Sequence, residues 1–382
     1  MILIRNARVL TMEDDKVIQG GEILMDGGKI VDVGSALSAP GAQVVDARGM
    51  YALPGVVDAH CHIGMFEDGM GFEGDDGNEA TDPLTPQLRA LDAINPMDRC
   101  FSEALSCGVT CAATGPGSAN VIGGQFLAMK TNGHDLEQMV IQEPLAMKAA
   151  FGENPKRVYS GKHQAPETRM ATAAILRNAL MEAREYLKKK EQGGDKAPDF
   201  DLKKEMLSKV LTRELLLKCH AHRADDILTA IRIAKEFNLR ISLEHCTEGY
   251  LIADALKRAN VPCILGPLLS DRSKIELRNM SFKAPGILHK AGVRFALMTD
   301  HPVIPMQYLM VEAGICAREG LDEMEALRAV TLNAAWAIGL DGRLGSLKPG
   351  KDADVALYDG HPMDTRTRVK QVYVNGQLAY ED

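Results

Sequence analysis

Two histidines one residue apart, His60 and His62, close the run Leu53-Pro54-Gly55-Val56-Val57-Asp58-Ala59-His60-Cys61-His62. Val56 and Val57 read as the body of a buried strand, and Pro54-Gly55 as the break by which the chain enters it. Strand side chains alternate faces with a period of two, so both imidazoles point the same way. Side by side at a strand end, they form a clamp for a divalent metal such as zinc. Alone they would read as two ordinary histidines, because so short a motif is a weak signal.

Further positions repeat the pattern. The strand-like run Leu215-Cys219 delivers His220, with His222 two residues on; Ile241-Glu244 delivers His245; Arg294-Thr299 delivers Asp300, followed by His301. Between the first clamp and His220, Lys148 sits inside the apolar run Leu145-Phe151. Any one of these has a structural explanation. Together they need a scaffold whose strand ends converge on one point, as they do in a (β/α)₈ barrel.

The elements agree. Strand candidates at 109–113, 139–142, 145–151, 215–219, 240–244, 261–265 and 293–299 alternate with helical stretches at 96–106, 225–237, 247–259 and 285–291. Such βα units predict a parallel sheet, and their number a barrel. Residues 64–95, rich in Gly, Asp and Pro, predict a long loop after the first barrel strand. Residues 166–214 predict a helical insertion, with Leu176, Leu180, Ala183 and Leu187 on one helix, Leu207, Val210 and Leu211 on another, and Gly193-Gly194-Asp195 between. Both ends of the chain read as short strands punctuated by turns. The expected organisation is a small β-sandwich domain from residues 1–53 plus 340–382 and a barrel over 54–339.

Composition narrows the function. At 382 residues, 46% hydrophobic and 25% charged, the chain reads as a soluble globular protein. A net charge of −8 with scattered basic residues argues against nucleic acid or an anionic membrane as partner. The start is too short for a signal-peptide core and no apolar run reaches membrane-spanning length. The eight cysteines lack framework spacing, so a cytoplasmic location with reduced thiols is expected. Cys61 and Cys246 neighbour the histidines but should face away from a metal. The partner expected is a small-molecule substrate, and association into a homo-oligomer stays open.

The ordered set Pro54-His62, His220, Glu244-His245 and Thr299-Asp300 resembles the amidohydrolase superfamily. So do Thr331-Leu332-Asn333-Ala334-Ala335, Gly345-Ser346-Leu347-Lys348-Pro349-Gly350-Lys351-Asp352-Ala353-Asp354 and Val374-Asn375-Gly376. His220-Ala221-His222 and the layout resemble its imidazolonepropionase-related and prolidase-like branch. The resemblance implies a metal-dependent hydrolase cleaving an amide, lactam or dipeptide-type C–N bond with a metal-activated hydroxide. By position, His60 and His62 hold one divalent metal, zinc by ligand type, and His220 and His245 a second metal or a neighbouring position. Asp300 is the acid/base that also touches metal. His222 and His301 fall to orienting or substrate-binding roles.

Lys148 has two readings. A cation buried there needs a carboxylate such as Glu143 or Glu153; alternatively, the resemblance implies carbamylation by CO₂, which makes the lysine an anionic bridge between two metals. Arg157, Lys162 and Arg169 can clamp a substrate carboxylate or be solvated helix ends. Two competing functions remain: a mononuclear deaminase of a heterocycle, and a non-catalytic scaffold. Deaminases of the superfamily carry a glutamate three residues after the histidine matched here by His220. That position is Arg223, which cannot donate a proton.

Overall fold

The computed structural model describes residues 1–382. Turn residues divide the N-terminal apolar runs into β1 (Ile2–Leu10), β2 (Val17–Asp26), β3 (Lys29–Gly34), β4 (Gln43–Asp46) and β5 (Tyr51–Pro54). Gly27 and Gly28, both at positive φ, turn β2 into β3 where a residue bearing a Cβ is strained. Gly55 then lets the chain pass into the barrel. A Cβ there would sit 2.0 Å from the Thr110 hydroxyl, so the first barrel strand approaches its neighbour only through a glycine.

Eight strands follow in one sheet: β6 (Val56–Cys61), β7 (Val109–Thr114), β8 (Ile122–Lys130), β9 (Val140–Ala150), β10 (Leu216–Ala221), β11 (Ile241–His245), β12 (Cys263–Leu265) and β13 (Phe295–Leu297). They lie side by side in chain order and nearly close into a barrel. Backbone bonds draw the two edges together: the Asp300 N–H donates to the His60 carbonyl at 3.3 Å, and the His62 N–H to the His301 carbonyl at 2.8 Å. Asp58 adds to the seam. Its carboxylate accepts from the Thr299 N–H at 3.2 Å and from the Thr299 hydroxyl. Register aligns the strand ends, with His220 opposite both Ala150 and Glu244, and Ala221 opposite His245.

One barrel strand departs from the parallel expectation. β8 runs antiparallel to both β7 and β9. Parallel neighbours need a crossover of about a dozen residues or more. Only residues 115–121 join β7 to β8, and residues 131–139, with a single helical turn at Leu136–Met139, join β8 to β9. The strands expected at 139–142 and 145–151 are one continuous β9.

The insertion forms the helices Arg169–Gln192 and Leu202–Leu211, and residues 64–95 hold only short 3₁₀ turns at Gly71–Gly74 and Ala90–Asp92. The chain ends in β14 (Val355–Tyr358), β15 (Val369–Val374) and β16 (Gln377–Glu381). These join the N-terminal strands in the order β16-β15-β14-β5-β1-β2-β3, with β4 beside β1. A buried ion cluster ties this second sheet to the barrel: Lys130, at the end of β8, lies 3.1 Å from Asp352 and 2.6 Å from Asp354.

Candidate metal centre

At the carboxyl end of β6, Asp58, His60 and His62 recur at every second position. The His60 and His62 rings stand edge to face with centroids 5.4 Å apart. The His62 Nδ1–H donates to the Gly115 carbonyl at 2.6 Å, which leaves Nε2 free, 3.2 Å from Asp300 Oδ1. His60 is turned likewise: its Nδ1 lies 3.0 Å from Glu244 Oε2, and its Nε2 faces Asp300 Oδ1 at 3.5 Å. A carboxylate behind a histidine fixes the tautomer and raises ligand basicity.

Period-two alternation would send His245 to the face opposite Glu244. Instead the backbone turns left-handed at His245 (φ 69°) and Cys246 (φ 52°), and does the same at Asp300 (φ 55°). Residues with a Cβ pay strain there, and such strain gathers where side chains must be aimed. The result is convergence. Ligand atoms of His60, His245 and Asp300 lie within 4.8 Å of one another, as do those of His220, His222 and His245. The His245 Nδ1–H donates to the Gly266 carbonyl at 2.9 Å, and His222 Nδ1 shares a hydrogen bond with the Thr247 hydroxyl at 2.8 Å, so the Nε2 atoms point inward.

Those inward atoms are orphans. His220 Nε2, His222 Nε2, His245 Nε2 and Asp300 Oδ1 are buried without a hydrogen-bond partner. A buried polar atom without a partner costs free energy, and so many at one point fit a bound cation. Protonation favours the same fit. Burial, with Lys148 and Lys218 nearby, pushes His60 well below its ordinary value, and burial brings His220 down to about 4. Burial raises the Asp300 carboxyl, but His62, His60 and Lys148 outweigh it, so the group stays ionised. Neutral imidazoles and a carboxylate are the forms that bind metal.

Lys148 is fully buried with Nζ 3.2 Å from His60 Nε2, and burial lowers its amine to about 8. The carboxylate pairing considered for it is absent. Glu143 pairs with Arg89 at 2.8 Å, and no carboxylate lies within ion-pair distance of Lys148. Its register partner on β10 is Lys218, whose Nζ lies 3.0 Å from Glu244 Oε2 and donates to the Ala59 carbonyl at 3.1 Å. The Phe126 ring lies beneath both amines, 5.5 Å from Lys148 Nζ and 5.4 Å from Lys218 Nζ, and stacks on His60 at 5.1 Å.

His301 stands outside both ligand groups. Its Nδ1 accepts from the Met306 N–H at 3.3 Å, and its Nε2 is buried without a partner. The candidate carboxylate clamp is largely committed elsewhere: Arg169 pairs with Asp226 at 2.9 Å and Lys162 donates to the Ala80 carbonyl. Three residues at the centre had no role in the sequence reading. Lys218 and Glu244 carried a usable signal, since Lys218 is two residues before His220 and Glu244 abuts His245. Glu276 carried none: it lies in an aperiodic loop after β12, yet its Oε1 reaches 3.6 Å from His222 Nε2. Cys61 and Cys246 are free and buried, and the Cys61 thiol donates to the Ala113 carbonyl at 3.5 Å.

Comparison with known proteins places the chain among relatives. Residues 51–379 match the amidohydrolase family. A crystal structure of an amidohydrolase from Thermotoga maritima MSB8 superposes with a TM-score of 0.97 at 43% identity, covering 100% of both chains. The imidazolonepropionase of Symbiobacterium thermophilum is 26% identical over 380 residues, covering 91% of this chain and 85% of that protein. Amidohydrolase tasK of Hapsidospora irregularis is 29% identical over 425 residues; the match takes in 100% of this chain and 43% of tasK, so the chain spans less than half of that relative's length.

Proposed function

We propose that the chain, a member of the amidohydrolase family, works as an imidazolonepropionase-related and prolidase-like enzyme that hydrolyses an amide, lactam or dipeptide-type bond of a small molecule with one or two divalent ions, zinc by ligand type. The observation that carries this reading is the meeting of two buried ligand groups at His245, His60–His245–Asp300 and His220–His222–His245, with His220, His222 and His245 Nε2 and Asp300 Oδ1 left without a partner.

In this reading His60, His62 and Asp300 hold one ion, and His220 and His245 serve the second position. A divalent cation held by these residues would supply a water with its pKa lowered to about 7 and a Lewis acid for the scissile carbonyl. Asp300 takes the water's proton and hands it to the leaving nitrogen, which its ionised state and unpartnered Oδ1 support. Glu244 and Lys218 hold His60 from behind. Lys148 supplies an amine that burial brings toward neutrality; attack of its nitrogen on CO₂, with loss of the amine proton to solvent, would give an anionic carbamate that could serve as a further metal ligand. Intact mass under carbamate-preserving conditions reads that added CO₂, and an unmodified lysine would count against it.

The loops above supply the substrate wall. The Ala119 N–H donates to Asn78 at 3.0 Å, and Asn154 donates to the Ser118 hydroxyl at 2.7 Å. These bonds stitch residues 64–95, the segment after β7 and the helix after Phe151 into one rim. Arg223 forks onto Asp225 at 2.8 Å, leaving no proton donor at the position used by deaminases. The test is turnover by the purified protein across N-acyl amino acids, dipeptides, cyclic imides and aminated heterocycles. Hydrolysis within the first three groups is the expected result. Efficient ammonia release from adenine-, guanine- or cytosine-type substrates would overturn it.

A further inference from the structure

We infer that Glu276 closes a metal position with His220, His222 and His245, a three-imidazole, one-carboxylate site beside the His60–His62–Asp300 position. The inference rests on the metal-dependent reading above and adds two ligands to it.

All four side chains are almost wholly buried, none more than 3% exposed. Glu276 Oε1 lies 3.6 Å from His222 Nε2 and 3.9 Å from His220 Nε2. Ligand nitrogens of the three histidines fall within 4.8 Å of one another. Glu276 Oε1 and the Nε2 atoms of all three histidines lack a hydrogen-bond partner. Zinc bonds to nitrogen and oxygen run about 2.0–2.2 Å, which puts neighbouring ligands of a tetrahedron roughly 3.4 Å apart. The Glu276 spacings to His222 and His220 stand close to that figure, and the three imidazoles, up to 4.8 Å apart, would draw in around an ion.

Glu276 is aimed from behind. Its Oε2 accepts the Glu153 N–H at 3.0 Å. Gly152 makes room for that bond: it sits at φ +81°, and a Cβ there would approach Glu276 Oε2 to 2.8 Å. One oxygen is thus anchored and the other points at the imidazoles. Lys274 Nζ approaches Oε1 to 3.6 Å but donates to Asn154 Oδ1 at 3.0 Å, and its side chain is partly exposed. A purely structural Glu276 would need only the bond from Glu153, which a glutamine accepts equally well.

That difference supplies the test. Metal content is measured on purified wild type, Glu276→Gln and His222→Asn, with zinc affinity read by chelator competition and geometry by the visible spectrum of the cobalt form. The wild type is expected to hold two ions. Each variant should hold one ion tightly and bind the other more than about 100-fold more weakly, beyond the roughly 10–100-fold seen on losing a group behind a ligand. The cobalt spectrum of the weakened position should change while the other persists. Two ions held with wild-type affinity in both variants would overturn the assignment and leave the proposed function standing; a raised KM in that setting would make Glu276 a substrate-binding group. A wild type that holds no ion would overturn the metal-dependent reading itself.

Discussion

Asp300 has the demands of two roles on one oxygen: its Oδ1 faces His60 and His62 at 3.5 and 3.2 Å and has no hydrogen-bond partner. Asp300→Asn preserves the shape and one acceptor oxygen but cannot take a proton. It should leave the fold intact while turnover falls by at least about 10²–10⁴-fold, the range for losing general acid–base catalysis. Near-normal turnover of the variant on the true substrate would refute the role. The strand-end positions of His60, His62, His220, His245 and Asp300 were legible in the sequence because apolar runs announce buried strands and the residue that follows each is polar. The inward turn of His245 was not, because it depends on a left-handed backbone that no residue type there advertises. Glu276 was illegible for a different reason: the groups it meets at close range, His220, His222 and Glu153, are more than fifty positions away in the chain, and its own loop has no periodicity.

Among the elements, β8 does the most that the sequence did not announce. Residues 122–130 are not among the strand candidates, yet Gly123-Gly124 opens a fully buried strand whose Phe126 forms the floor under His60, Lys148 and Lys218. Gly124 has φ +129°, and a Cβ there would meet the Leu88 carbonyl at 2.7 Å, so the residues that disguise the strand are those that let loop 64–95 lie against it. Phe126→Ala removes a completely buried ring. A loss of about 3–5 kcal/mol is expected from the transfer and cavity costs, read as a lower midpoint of chemical denaturation. Phe126→Leu should lose less. An Ala variant as stable as the wild type would mean the ring does not support the barrel floor.

At the scale of the molecule, the sheet built from both termini was legible because its turn-rich strands differ in style from the alternating middle. Its attachment was not, since Lys130 on β8 lies more than two hundred positions from Asp352 and Asp354. Burial raises the Asp352 carboxyl, but Lys130, Lys29 and Arg343 outweigh it and hold the group at about 2, below its ordinary 3.8. Its contribution is therefore present above 3.8 and lost as pH falls toward 2, because the unfolded chain takes up the proton first. Lys130→Met leaves two buried carboxylates short of a partner and should destabilise by about 3 kcal/mol, the low end for breaking a buried pair, since Lys29 and Arg343 remain on Asp352. It should also flatten the acid limb of the stability profile; an unchanged midpoint and limb would show that the cluster does not join the two sheets. Both sheets exist, on this view, to hold one cation-binding point at the barrel mouth. The direct check is turnover of a responsive substrate by protein stripped with a chelator and then titrated with zinc. Activity should vanish on stripping and return as ions are restored, reaching its plateau at one or two equivalents per chain; full turnover by metal-free protein would contradict it.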